Sequence, residues 1–299
     1  MSARLRVFAP AKINLHLHVG PPRADGRHPL QSLALFADVG DVLEVEPAES
    51  LSLQVLGPFA ATLASEPDNL VLRAARALAE AAGRPSLGAR LLLHKHLPVA
   101  SGIGGGSADA AAALRGLTHL WGIETREAEL ERLAGALGAD VPVCVRAQAA
   151  FMAGAGEITT AVAVPDLWAV LVNPGVPLST GAVYRRFDDL ALGGAFMEEP
   201  APTAVPDLLA YASARRNDLE APARALSPEV AACLELLASR EEAKLARMSG
   251  SGSTCFALCH SAEAAQSLAE RLGGSRPEWW VRPARLGAVD VAPREAERV

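Results

Sequence analysis

The alternation of apolar and polar residues predicts several strands in the first half of the chain. Residues alternate with a period of two through "INLHLHV" (13–19) and again through "DVLEVEPAESLSLQVLG" (41–57). A period of two is typical of a strand with one buried face, and the second stretch predicts a hairpin. The shorter run "ARLLLHKHL" (89–97) predicts another strand.

A change of period predicts the first helix. In "PDNLVLRAARALAEAAG" the apolar residues recur at helical spacing from Leu70 to Ala81. Asp68 or Asn69 can cap the beginning of this helix, and Gly83 ends it.

Three further segments complete the prediction for this half. A long helix runs to about Trp121, and a second covers "TREAELERLAGALG" (125–138). The apolar run "VPVCVRAQAAFMAG" (141–154) predicts a strand.

The second half mixes strands and helices in the same way. The predicted elements are a strand at "LWAVLVNPG" (167–175), helices at "DLLAYASA" (207–214), "SPEVAACLELLAS" (227–239) and 262–272, and a strand at "WWVRPARL" (279–286). The stretch from Gly193 to Pro206 is rich in proline and glycine and predicts a mobile loop. This order, which contains no repeat, predicts two α+β domains, residues 1–157 and 158–299.

Composition narrows the class of protein. About half of the 299 residues are apolar, a fifth are charged, and the formal net charge is −6. This composition predicts a globular chain and disfavours a nucleic acid or an anionic membrane as partner. No apolar run approaches the ~18 residues that a membrane span needs, and no signal peptide is recognisable. We therefore expect a cytoplasmic protein, either a monomer or a weak homodimer.

The sequence assigns no metal-binding or redox role to the four cysteines. They contain no C-x-x-C pair, so we expect reduced and mostly buried thiols. His16 and His18 share a strand face, as do His94 and His96, but no third ligand is identifiable for zinc at either pair.

The stretch "PVASGIGGGSADAAAAL" (98–114) is the strongest candidate for a binding site. Its glycines allow backbone N–H groups to converge, and the helix that follows offers the positive end of its dipole. Such a loop suits phosphate, and the hydroxyls of Ser101 and Ser107 can reach phosphate oxygens or magnesium-bound water. The stretch lacks the lysine of a P-loop and the third glycine of a dinucleotide fingerprint. A plain connection between strand and helix is the alternative.

Two charged residues strengthen the phosphate interpretation. Lys12 in "APAKINL" lies at the beginning of a predicted strand, and Asp140 in "GALGADVPVCV" lies between a helix and a strand. Phosphoryl transfer needs a cation for the developing charge and a carboxylate to orient or deprotonate the attacking hydroxyl. Either residue alone is more typical of an ordinary surface charge.

These stretches together resemble the GHMP kinases, which include galactokinase, homoserine kinase and mevalonate kinase. The glycine-rich stretch resembles their phosphate loop, "APAKINL" their N-terminal motif, and "MSGSGSTCFAL" (248–258) their third motif. The variants "GGGSADAAA", "ADGRHPLQS", "PDNLVLRAA" and "LGADVPVCV" are similar to the branch that phosphorylates a cytidine-diphosphate-linked sugar alcohol.

The resemblance implies an architecture and a reaction. It implies a ribosomal-protein-S5-domain-2-like nucleotide domain, a C-terminal α/β sandwich domain and an active site in the cleft between them. It also implies ATP-dependent phosphorylation of the 2-hydroxyl of the sugar alcohol, with Mg²⁺ on the phosphates.

The resemblance further implies a role for each matching residue. Lys12 and Asp140 match the catalytic pair. The residues expected to bind ATP are Asn69 and Lys95 near the adenine and ribose, and Pro98, Ser101, Gly102, Gly104, Gly105, Gly106, Ser107 and Ala108 around the triphosphate. Ser107 is also the expected Mg²⁺ ligand. The residues expected to bind the acceptor are Asn14, Arg27, His28, Thr180, Tyr184, Gly250 and Gly252.

One position departs from the family pattern. The family usually has D-G-Y-H, with the tyrosine stacked on cytosine, where this chain has "DGRH". Arg27 can stack on the base through its guanidinium plane, bind a phosphate, or point into solvent. Other GHMP kinases, an ATP-using decarboxylase of the superfamily and an inactive nucleotide-binding module are the alternative functions.

Overall fold

The computed structural model describes residues 4–63 and 69–296. Its strands are β1 (Leu5–Val19), β2 (Leu30–Pro47), β3 (Leu51–Leu56), β4 (Ala89–His94), β5 (Ala150–Ala153), β6 (Ile158–Ala161), β7 (Leu167–Asn173), β8 (Leu245–Met248), β9 (Cys255–Cys259), β10 (Trp280–Gly287) and β11 (Arg294–Glu295). They form one mixed sheet.

The helices pack on this sheet. They are α1 (Ala60–Leu63), α2 (Leu70–Ala81), α3 (Gly105–Leu120), α4 (Glu127–Leu137), α5 (Val141–Arg146), α6 (Thr180–Asp189), α7 (Leu208–Ser213), α8 (Glu220–Leu226), α9 (Pro228–Ala238) and α10 (Ala262–Ser275), with a 3₁₀ turn at Leu192–Ala195. In the part of the chain that is described, no helix combines the length and apolar character that crossing a bilayer requires.

The sheet is continuous through both halves of the sequence. Its main order is β11-β1-β2-β10-β7-β9-β8, and β4 and β5 also pair with β2. Strand β10, from the second half, pairs with β2 where Leu286 lies opposite Ala37. Strand β6 begins just after the predicted domain boundary at residue 157 and pairs with β5, which lies just before it. The boundary itself stays a prediction.

The predicted hairpin at residues 41–57 is wrong. Strand β4 lies between β2 and β3, antiparallel to β2 and parallel to β3. Residues 89, 91 and 93 of β4 are fully buried, whereas β3 alternates between half-buried and exposed residues. The more apolar strand thus takes the interior place, and β3 becomes an edge strand.

The predicted strand at residues 141–154 is wrong in its first half. Val141–Arg146 forms helix α5, which has a proline in its first turn, and only Ala150–Ala153 forms a strand. The residues from Val141 to Val145 are all buried. A short run that is apolar on every side has no period by which to distinguish a helix from a strand.

Most other predicted elements are confirmed. Helix α2 begins after Asn69, whose side chain accepts a hydrogen bond from the Val71 N–H. Asp68, the other candidate cap, lies outside the described residues. The four cysteines are free and buried, as expected. Helices α6 and α8 were not predicted, and the mobility of residues 193–206 stays a prediction.

The alanine-rich run of α3 lets this helix pack closely on the sheet. The residues from Ala108 to Leu114 are buried, and a Cβ on Gly116 would come within 2.9 Å of Val7 Cγ2. Small side chains let α3 lie directly on β1 and β2. This packing brings the N-terminus of α3 to the part of β1 that carries Lys12.

Candidate active site

A cavity of about 500 Å³ lies beside the N-terminus of α3. Its wall brings together most of the predicted site residues, namely Lys12, Asn14, Asn69, Lys95, Pro98, Ser101, Gly102, Gly104, Gly105, Gly106, Ser107, Asp140, Thr180, Tyr184 and Gly250. They come from both halves of the chain.

The loop at residues 98–104, hereafter the phosphate loop, needs glycine at two positions. Gly102 and Gly104 have φ angles of 75° and 63°, in the left-handed region that favours glycine. A Cβ on Gly104 would lie 3.2 Å from Lys12 Cβ, so the loop approaches β1 closely. The first turn of α3 opens into the cavity, where its N–H groups have no partner within the helix.

A second glycine-rich turn, residues 249–254, supports the phosphate loop from the other half. The Thr254 N–H donates to the Ser101 carbonyl at 2.9 Å, and the Ser249 hydroxyl donates to the Gly102 carbonyl at 3.0 Å. Ser249 Oγ also accepts from the Asn14 N–H at 3.1 Å. The sequence analysis named Gly250 and Gly252 here and missed Ser249.

Lys12 and Asp140 form the charged pair that the sequence predicted. Lys12 Nζ lies 2.6 Å from Asp140 Oδ1, and the lysine side chain is 4% exposed while the aspartate is 40% exposed. The Lys12 N–H donates to the Ile103 carbonyl at 2.9 Å, which ties this strand to the phosphate loop. A buried cation thus holds a carboxylate that remains open to the cavity.

Lys95 lies in a buried charge cluster with two carboxylates that the sequence analysis missed. Its Nζ is 2.6 Å from Asp41 Oδ2 and 2.6 Å from Asp109 Oδ2. Burial alone would lower the pKa of Lys95, but Asp109 and Asp41 outweigh it and raise that pKa. Burial raises the pKa of Asp109, against the opposing effect of Lys95. The signal that could have revealed Asp109 was its place as an acidic residue inside an alanine-rich run.

Another part of the cavity, hereafter its apolar end, is lined mostly by apolar residues. Leu17, Leu30, Met152 and Leu219 line it together with Thr180 and Tyr184. Burial raises the pKa of Tyr184 to about 12, so the phenol stays neutral. Thr180 Oγ1 and Ser251 Oγ are 2.8 Å apart, which links α6 to the second glycine-rich turn.

His28 supports this apolar end from behind. Its ring centroid lies 5.0 Å from that of Tyr184, and its Nδ1 is 2.8 Å from the Gly20 carbonyl oxygen. Its Nε2 lies 3.5 Å from Asp188 Oδ2. Whether His28 reads a base edge stays a prediction.

His28 does not line the cavity, and neither do three other predicted residues. Arg27 is exposed in the turn before β2, and Ala108 is buried within α3 behind the first turn. Gly252 faces the protein interior, where a Cβ would lie 2.6 Å from Met248 Sδ. In the described ranges no group of three or more His, Cys, Asp or Glu side chains could hold a metal ion.

Two family profiles match the chain. The profile described as "GHMP kinases N terminal domain" matches residues 69–148, and the one described as "GHMP kinases C terminal" matches residues 204–276. The first match contains the phosphate loop and Asp140.

Relatives and solved structures agree with these profiles. The 4-diphosphocytidyl-2-C-methyl-D-erythritol kinase of Caulobacter vibrioides strain NA1000 is 48% identical, over 95% of this chain and 99% of that protein. The protein of the same name from Hyphomonas neptunium is 50% identical, over 94% of this chain and 96% of that one.

Two solved structures are similar to this chain over nearly its whole length. A 4-(cytidine 5'-diphospho)-2C-methyl-D-erythritol kinase matches with a TM-score of 0.74 and 35% identity, covering 95% of this chain and all of that one. A homoserine kinase from Cytophaga hutchinsonii matches with a TM-score of 0.70 but 18% identity, covering 98% of each chain, and this likeness concerns the fold alone. The predicted GHMP-kinase-like α+β fold is confirmed.

Relatives that are about half identical over nearly the whole chain share one family name, and both halves match the profiles of one superfamily. The chain therefore belongs to the GHMP kinases and, within them, to the 4-diphosphocytidyl-2-C-methyl-D-erythritol kinase family.

Proposed function

We propose that the chain transfers the γ-phosphoryl group of ATP to the 2-hydroxyl of 4-diphosphocytidyl-2-C-methyl-D-erythritol. The products are the 2-phosphate and ADP, and the reaction belongs to the non-mevalonate pathway of isoprenoid precursor synthesis. One observation carries the proposal: the Lys12–Asp140 pair, 2.6 Å apart, shares a cavity with the N-terminus of α3 and with Tyr184.

ATP occupies the side of the cavity that is formed by the phosphate loop. The N–H groups of Gly105, Gly106 and Ser107 lie in the first turn of α3, where the helix dipole also favours an anion. Asn69 lies on the same wall, and its side-chain oxygen already caps α2. Its amide nitrogen is the group that serves the adenine or ribose.

The oxygen atoms in the cavity suit Mg²⁺. The hydroxyl of Ser107 lines the cavity at the first turn of α3, and Mg²⁺ prefers oxygen ligands, with substrate phosphates supplying some of them. Ser107 would hold the ion together with the phosphates, whose charge the ion would neutralise when bound.

Asp140 and Lys12 act on the acceptor. Asp140 orients the 2-hydroxyl and takes its proton as the hydroxyl oxygen bonds to the γ-phosphorus and ADP leaves. Lys12 holds the carboxylate in place through their ion pair. The tertiary hydroxyl has a pKa far above neutral, but a loose transition state asks little of the base, so positioning supplies much of the rate.

The apolar end of the cavity receives the cytidine. Tyr184 presents a neutral aromatic ring there, with Thr180 beside it and His28 behind it. This arrangement supports stacking of cytosine on Tyr184. Arg27 is exposed outside the cavity, and its stacking on the base stays a prediction.

The test is coupled ADP release with ATP and Mg²⁺. We expect turnover with 4-diphosphocytidyl-2-C-methyl-D-erythritol, none with mevalonate or homoserine at equal concentration, and competition by CMP or CDP. Turnover confined to another alcohol would overturn the substrate assignment. ATP binding without ADP release for any acceptor would indicate an inactive nucleotide-binding module.

Location and assembly are part of the same proposal. Four free, buried cysteines are compatible with a reducing compartment, which supports a cytoplasmic enzyme. We expect a monomer or a weak homodimer with small-molecule substrates.

A further inference from the structure

Both ends of the phosphate loop are attached to the buried charge cluster of Asp41, Lys95 and Asp109. Asp41 Oδ1 accepts hydrogen bonds from the N–H groups of His96 and Leu97, at 2.5 Å and 2.8 Å, immediately before the loop. Its other oxygen lies 2.6 Å from Lys95 Nζ. The same ammonium lies 2.6 Å from Asp109 Oδ2. Asp109 is in α3, the helix that begins directly after the loop.

The ammonium also packs directly against the first residue of α3. A Cβ on Gly105 would lie 3.1 Å from Lys95 Nζ. The Lys95 N–H donates to the Leu56 carbonyl at 2.7 Å, which fixes the backbone from which the side chain departs. Lys95 is therefore held at both its backbone and its ammonium.

The burial of this cluster is difficult to explain by stability alone. Lys95 is 2% exposed, Asp41 is fully buried and Asp109 is 3% exposed. Asp109 Oδ1 is buried with no hydrogen-bond partner among the described residues. Well-packed apolar residues often replace buried ions at no cost in stability. The bonds from the cluster to each side of the loop suggest a geometric role instead.

We propose that Lys95 is a positioning residue: from between Asp41 and Asp109 it fixes the two ends of the phosphate loop, so that the first turn of α3 is arranged for the triphosphate before ATP binds. This inference rests on the proposed function for the identity of the nucleotide. It differs from the expectation that Lys95 contacts adenine or ribose, because two carboxylates already occupy its ammonium.

The test compares the binding of ATP and of adenosine to Lys95→Met. If Lys95 positions the loop, ATP affinity falls on the order of 10- to 100-fold while adenosine affinity is unchanged, since only the phosphates depend on the loop. Equal losses for both ligands would indicate direct contact with the nucleoside and overturn the proposal. Unchanged ATP affinity would overturn it as well.

Hydrogen exchange supplies a readout without any ligand. Lys95→Met should speed amide exchange across residues 96–107 in the free enzyme, because the loop ends lose their common anchor. Arg115→Met is the matched control: it removes a half-buried cation, which lies in α3 and donates to carbonyls of Phe8, Cys144 and Val145, away from the loop. Loop exchange that accelerates equally in both variants would show a general loss of stability and overturn the proposal.

A conservative variant separates geometry from charge. In Asp109→Asn the amide oxygen can still accept from Lys95, so ATP affinity should stay close to that of the unaltered enzyme. A loss as large as in Lys95→Met would contradict the positioning role. Should Lys95→Met not fold, the double variant Lys95→Met/Asp109→Asn leaves only one unpaired carboxylate in the cluster, that of Asp41. The affinities of this double variant for ATP and for adenosine are then compared in the same way.

None of these measurements needs the acceptor alcohol. An enzyme that binds ATP but does not phosphorylate the cytidylyl alcohol would overturn the proposed function and leave the test of Lys95 valid.

Discussion

At the scale of single residues, the exposures of Lys12 and Asp140 differ in a way that suits their proposed roles. Lys12 is almost fully buried, so its long side chain is held in one position, while Asp140 faces the cavity. Asp140 is also the N-cap residue directly before the short helix α5, which fixes its backbone. The pair therefore presents a carboxylate whose position is set before a substrate binds.

Replacing Asp140 tests this role. In Asp140→Asn the amide keeps the size of the carboxylate but cannot take the hydroxyl proton, so turnover should fall by a factor on the order of 10² to 10⁴. ATP affinity, measured by calorimetry, should remain nearly unchanged. Asp166→Asn, at an exposed carboxylate paired with Arg285, is the control and should retain its turnover. An Asp140→Asn enzyme with most of its activity would rule out the assigned role.

At the scale of elements, two glycine-rich turns from different halves of the chain interlock. The phosphate loop and the turn at residues 249–254 approach so closely that a Cβ on Gly102 would overlap the Ser249 carbonyl oxygen. Hydrogen bonds join Ser101 to Thr254 and Gly102 to Ser249. The conformation of each turn thus depends on the other.

Two glycine-to-alanine changes separate a required glycine from a permissive one. Gly102→Ala places a Cβ in a left-handed residue against backbone atoms and should destabilise the enzyme by about 1–3 kcal/mol. Gly106→Ala has open space around its Cβ and lies in a helix, so stability should stay equal or rise by up to about 1 kcal/mol. Urea unfolding measures both. Equal midpoints for the two variants would show that the turns can separate without cost.

At the scale of the whole molecule, β1 contacts elements from both halves of the chain. Its N-terminal part contacts α3, and its C-terminal part contacts the second half, where the Leu17 N–H donates to the Arg216 carbonyl at 3.0 Å. His16 lies at this junction, 1% exposed, with Nε2 3.2 Å from the Tyr211 hydroxyl. Folding therefore encloses a titratable ring between the two halves.

The enclosed histidine predicts the acid sensitivity of the fold. Burial, together with the neighbouring His18, Arg215 and Arg247, lowers the pKa of His16 from 6.5 to about 2. Below about pH 6.5, His16 of the unfolded chain therefore binds a proton, whereas His16 of the folded chain stays neutral until about pH 2. The free energy of unfolding falls as the pH drops from the first value towards the second. From about pH 6.5 to about pH 5 the loss is about 2 kcal/mol for this one group.

Denaturant titrations at several pH values measure this effect. His16→Phe keeps an aromatic ring but removes the titration, so its stability should fall less steeply between about pH 6.5 and about pH 5. His260→Asn, at an exposed histidine, is the control and should follow the unaltered enzyme. An unchanged slope in His16→Phe would assign the acid sensitivity to other groups.

Local patterns were sufficient for the family, for a glycine-rich loop that leads into a helix, and for most elements. Glycines ahead of an alanine-rich run mark a loop that leads into a helix, and this order was predicted for residues 98–114 without reference to a distant partner. The period of two in β1 and the helical period in α2 are local in the same way. The motifs that carry the resemblance are short and contiguous, and the family they indicated is confirmed.

Contacts between distant segments were decided by the tertiary structure alone. The position of β4 between β2 and β3 depends on which strand is more apolar, and the helix at Val141–Arg146 is a short buried run without a period. Lys95 was predicted as a site residue, but Asp41, 54 positions earlier, became its partner only when β2 and β4 paired. A period or a motif records the neighbours of a residue along the chain, whereas a buried ion pair depends on which strands lie side by side.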